Sequence, residues 1–110
     1  MALLLAVLSA GRAEADSSFR SGNELFRECT ADTEQPAQQA TCFGYVAAIS
    51  DVLDGGNPIN GYRVCQPKTG VNLGQMKDIV VQWLQRNPQD RHRAAAGLVA
   101  KALSEAFPCR

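Results

Sequence analysis

Four cysteines, Cys29, Cys42, Cys65 and Cys109, offer the most chemistry in this 110-residue chain: they could serve as nucleophiles, metal ligands or disulfides. No Cys-x-x-Cys pair occurs, although thioredoxin-like redox centres and zinc ribbons rely on that spacing to bring two sulfurs together. Nothing beside the single histidine, His92, marks a nucleophile. Asp51 and Asp54 stand three apart, but acid/base work needs two carboxylates in unlike surroundings, and both fall near a glycine-terminated helix end. A phosphate-cradling glycine loop, His-Glu-x-x-His and Gly-x-Ser-x-Gly do not occur. The chain therefore reads as a protein with no catalytic residue, no cofactor and no metal, and its even set of cysteines reads as two disulfides.

The compartment supports that reading. An apolar run from Ala2 to Ala10, followed by Ala13-Glu14-Ala15, has the form of a secretory signal and its small-x-small cleavage site, although no Lys or Arg precedes the run. Residues 1–15 are thus expected to be a signal peptide cleaved after Ala15, with residues 16–110 forming one exported domain. No stretch approaches the roughly 20 apolar residues needed to cross a bilayer. Eleven acidic and eleven basic residues balance, so no net field recruits nucleic acid or an anionic membrane. The distribution is lopsided, with seven acids and two bases from Asp16 to Asp54 against three acids and eight bases from Gly55 to Arg110. Such halves suit packing against one another or steering a partner to one side.

The elements that must position the cysteines are helical. Ser21 and Glu24 have capping-box spacing ahead of a first helix that buries Leu25, Phe26 and Cys29 and runs to about Thr30. A polar loop with Pro36 reverses the chain. From about Ala37 a second helix places Cys42, Tyr45, Val46, Ile49, Val52 and Leu53 at helical spacing and stops at Gly55-Gly56. Asn72 and Gln75 form a second capping box before a third helix with the stripe Met76, Ile79, Val80, Trp83 and Leu84. Asn87 and Pro88 then open a fourth helix that buries Ala95, Leu98, Val99, Ala102, Leu103 and Ala106 and ends at Pro108. The expected fold is all-α, a small disulfide-stapled bundle of about four helices.

This order favours Cys29 with Cys42, which closes the first helical hairpin, and Cys65 with Cys109, which pins the tail. In the chain-entropy view the two loops stabilise by about 3 and 4 kcal/mol. Between helices two and three lies a long Gly/Pro-rich loop, in which Asn60-Gly61 has the chemistry of a tight turn and Tyr62, Arg63 and Val64 run on extended toward Cys65. Asp54, Asn57, Ile59, Asn60, Tyr62 and Arg63 are the candidate partner-binding residues, because a loop held near a cysteine presents them at little entropic cost. Tyr62 equally suits a lid folded onto the core. His92, Arg91 and Arg93 read as solvated surface, and Trp83 reads as core.

The succession Cys-x-Gly-Tyr at Cys42 to Tyr45, Val-Cys-Gln-Pro at Val64 to Pro67, the block Gly70 to Pro88, His92, and LVAKALSEAFPC ending at Cys109 resembles the Rap/Tai immunity family. Those are small exported helical proteins that neutralise peptidoglycan amidases delivered by type VI secretion. The resemblance implies a periplasmic, dimerising, all-α inhibitor that blocks an amidase groove without turnover or cofactor. It also implies scaffold roles for Cys42, Gly44, Tyr45, Cys65, Pro67, Leu98, Phe107, Pro108 and Cys109. Two other readings fit the general build. An acid-stress chaperone would expose apolar surface near pH 2 to 3 as its carboxylates protonate, and a small-molecule binder would hold a sizeable pocket lined by Trp83.

Overall fold

The computed structural model describes residues 19–110, so the expected signal peptide and its cleavage site lie outside the described residues. Both capping boxes form. The Ser21 hydroxyl accepts from the Glu24 N–H at 3.2 Å, while the Glu24 carboxylate accepts from the Ser21 N–H at 2.9 Å. These bonds satisfy orphan donors at the start of α1, Gly22–Cys29. Asn72 and Gln75 make the same exchange at 2.9 and 2.8 Å before α3, Leu73–Arg86. Between them α2, Pro36–Asp54, opens on proline at its first position, where the missing N–H costs nothing. Chain reversal before α2 is held by Gln39, whose side-chain amide donates to the Ala31 carbonyl at 2.9 Å.

The disulfides pair as the helix order predicts, Cys29 with Cys42 and Cys65 with Cys109. With eight residues, α1 is too short to persist alone, and the first bridge ties it to the longest helix. The core is continuous through all four helices, each of which contacts the other three. Leu25, Val46, Val80, Leu84, Val99 and Leu103 are fully enclosed at its centre.

Several details depart from the sequence-based expectation. Pro88–Asp90 forms only a turn of 3₁₀ helix, and α4 starts later, at Ala95–Ala106. The intervening backbone is drawn away by Arg20 and the first turn of α1. Gly22 N–H donates to the Arg93 carbonyl at 2.9 Å, Asn23 N–H to the Arg91 carbonyl at 2.7 Å, and Ala95 N–H to the Arg20 carbonyl at 2.9 Å. Ser21 and Ala94 form an antiparallel bridge, with Ala94 extended. Backbone groups that would have continued the helix are spent on this pairing.

Val52 is 44% exposed, outside the buried stripe assigned to it. At 100° per residue it lies about 120° round α2 from Val46, whereas Ser50 lies only about 40° away and is buried instead. Ala106 is likewise exposed in the last turn of α4. Arg91 is half-buried, with its guanidinium 4.4 Å from the Phe26 ring centroid, and is not the solvated residue its polar neighbours suggest. His92 and Arg93 are exposed as expected, and Arg93 pairs with Asp90 at 3.5 Å.

Candidate partner-binding surface

Downstream of α2 the chain turns at Gly56, whose φ of +88° suits glycine. Three residues on, Ile59 and Tyr62 exchange backbone hydrogen bonds at 3.2 and 2.9 Å around Asn60 and Gly61. Both central residues have positive φ, +51° and +79°, which makes this the type I′ turn that Asn-Gly favours. The turn does not hang free. Ile59 and Tyr62 are half-buried against the core, and the Asn60 amide fills the space beside Gly97 of α4 that a side chain there would occupy.

The six candidate residues therefore divide. Ile59 and Tyr62 anchor the loop, Tyr62 with its ring against the core and the rest of it within reach of solvent. Asn60 braces the turn on α4. Asp54, Asn57 and Arg63 are exposed and line one open groove of about 710 Å³. Its walls are the end of α2, the loop run from Arg63 to Lys68, and the Cys65–Cys109 bridge. That bridge, together with the Cys65 N–H donating to the Phe107 carbonyl at 2.9 Å, holds the tail after α4 against the loop.

Leu53 and Val64, at the floor of this groove, are 2% and 8% exposed and belong to the core. The rest of the lining is mostly polar or charged, Asp54, Asn57, Arg63, Lys68 and Gln66, with Pro67, Val71 and the exposed bridge adding a smaller apolar share. The sequence reading did not single out Gln66, Lys68 or Cys109 as neighbours of Asp54, because the tail bridge brings them together over long sequence separations. Only the Gly/Pro density of the loop hinted that they share a surface.

Trp83 is 3% exposed, and its indole N–H donates to the Glu105 carboxylate at 3.1 Å. Lys101 lies 5.7 Å from its ring centroid. A cleft of about 330 Å³ beside it is bordered by Gln82, Arg86 and Glu105, so the tryptophan serves as core with a satisfied polar edge. Among the described residues, no group of three or more His, Cys, Asp or Glu could hold a metal ion. No helix among them is long and apolar enough to cross a membrane.

Two groups titrate away from their ordinary ranges. The Ser21 backbone N–H holds the Glu24 carboxyl below the usual value; desolvation opposes it, and the Ser21 hydroxyl and nearby Arg20 and Arg27 add smaller lowering effects. Burial pushes the Tyr45 phenol up, partly offset by Arg20 and by the Ala96 backbone N–H that faces it.

The family model described as Rap1a immunity proteins matches residues 21–109, a span that opens on the Ser21 cap and closes on Cys109. No curated protein matches the chain, and neither does any solved structure.

Proposed function

The chain belongs to the Rap1a immunity protein family, and from that membership we propose that it is a periplasmic immunity protein that binds and inhibits a peptidoglycan amidase delivered by type VI secretion. The observation that carries the proposal is the family match across residues 21–109, which takes in both disulfides and the groove between the end of α2 and the loop. Two formed bridges suit an oxidising compartment. The apolar run and Ala13-Glu14-Ala15 at the N-terminus suit export by a cleaved signal.

In this reading the protein acts by stoichiometric occlusion, with no turnover and no cofactor. The contacting surface is the end of α2 and the loop, with Asp54, Asn57 and Arg63 exposed toward the partner and Ile59, Asn60 and Tyr62 keeping the backbone in place. Because the loop is already folded and braced, docking forfeits little conformational entropy. Homodimerisation belongs to the same proposal and is read by sedimentation of the purified chain.

Purified protein lacking residues 1–15 is mixed with a type VI peptidoglycan amidase from the same organism and with peptidoglycan. Hydrolysis should fall linearly with added protein and stop near one equivalent of binding sites. Undiminished hydrolysis at excess protein would rule out the amidase as the target.

A further inference from the structure

The groove between α2 and the loop brings side-chain donors of Arg63, Gln66 and Lys68 together along its loop side. Gln66 Nε2 is buried there with no hydrogen-bond partner, which is costly for an amide donor unless something arrives to accept from it. Arg63 and Lys68 line the same groove, both exposed and neither in an ion pair among the described residues. Asp54, the last residue of α2, lines the same groove from the helix end, where the helix dipole adds partial negative charge. The loop wall is thus cationic and donor-rich, and the α2 wall is anionic.

We infer that this groove receives an acidic, extended peptide segment of the partner, with its carboxylates on the loop wall at Arg63, Lys68 and Gln66 and away from Asp54. The apolar surface the groove offers is limited to Pro67, Val71 and the exposed Cys65–Cys109 bridge, because Leu53 and Val64 are already enclosed by the core, so polar and charged contacts dominate. A basic segment would meet Arg63 and Lys68 and leave the Gln66 donor unmatched. The open trough of about 710 Å³ suits a chain lying along it. The assignment to a partner protein rests on the immunity reading above, whereas the polarity of the groove does not.

The test uses the disulfide-intact chain and three short probes: acetyl-Ser-Glu-Asp-Glu-Ser-amide, its Gln/Asn counterpart, and its all-Lys counterpart, titrated by ¹⁵N NMR. The acidic probe should shift the Gln66 side-chain amide and the Arg63 to Lys68 backbone, and should weaken as salt is raised. Combined Arg63→Glu and Lys68→Glu should weaken it about fivefold or more, and Asp54→Asn should tighten it. Because all three side chains are exposed, unchanged spectra elsewhere show that the variants remain folded. Equal binding of the neutral or lysine probe, or no shift with the acidic one, overturns the inference. The amidase assay separates the two proposals. Inhibition that survives Arg63→Glu/Lys68→Glu, together with a silent acidic probe, leaves the immunity role standing and removes the groove from it. A responsive probe without inhibition does the reverse.

Discussion

The side-chain amide of Asn60, at the tip of the loop turn, sits where a β-carbon on Gly97 of α4 would have to go. The turn is therefore seated on the bundle through a missing side chain. Its position relative to α4 depends on a glycine that the loop sequence does not contain.

Gly97→Ala should push the Asn60 amide away and loosen the turn. Helix propensity favours alanine by about 1 kcal/mol, so global stability should change little. Amide hydrogen exchange at Tyr62 and Ile59 should accelerate, since their mutual bonds define the turn. Adding Asn60→Gly, which keeps the positive φ and removes the amide, should restore protection. A double-mutant cycle by exchange mass spectrometry measures the coupling.

Gly22→Ala should behave differently. A β-carbon there would lie 2.8 Å from the Arg91 carbonyl oxygen and 2.5 Å from Leu98 Cδ1. The carbonyl belongs to backbone that pairs with Asn23 and cannot swing aside as an amide side chain can. We expect a loss of about 2 kcal/mol despite alanine's better helix propensity, read as a lower urea midpoint at unchanged slope.

The two disulfides should differ in reactivity. Cys29 and Cys42 are 8% and 1% exposed, whereas Cys65 and Cys109 are both exposed. Attack on a disulfide requires a thiolate to reach sulfur, so a mild dithiol should open Cys65–Cys109 first. Alkylation followed by peptide mass mapping would show it. Replacing both Cys65 and Cys109 by serine should cost up to about 4 kcal/mol and release the tail that walls the groove. Simultaneous reduction of the two bridges would contradict this.

Stability should depend on pH at both extremes. The folded Glu24 carboxyl is lowered by the Ser21 bonds, so its contribution is present above the unfolded value near 4.3 and fades as pH falls through the folded one. Glu24→Gln should flatten the acid limb of a melting-temperature profile. Tyr45 is raised by burial, so its contribution is present below about pH 10 and is lost as pH climbs through its folded value. Tyr45→Phe should flatten the alkaline limb.

Much of the scaffold was legible because its signals are local. Ser21 with Glu24 and Asn72 with Gln75 close bonds over three residues, and Asn60-Gly61 adopts positive φ with little help from its surroundings. The cysteine pairing followed from the same helix order. The expected start of helix four failed because Arg91 and Arg93 give their carbonyls to Asn23 and Gly22, far away in sequence. Val52 was misplaced for a related reason: six apolar residues span more than one face, and only the neighbouring helices decide which part is covered.

By itself, the sequence determined the helices, their caps, the bridges between them and the family, because each rests on residue types at short, repeating separations. The tertiary structure alone decided that Asp54, Arg63, Gln66 and Lys68 line one groove, and that Asn60 rests on Gly97. Those relationships arise where segments distant along the chain pack together. Packing is set by the summed shape of the whole core, and no local pattern encodes it.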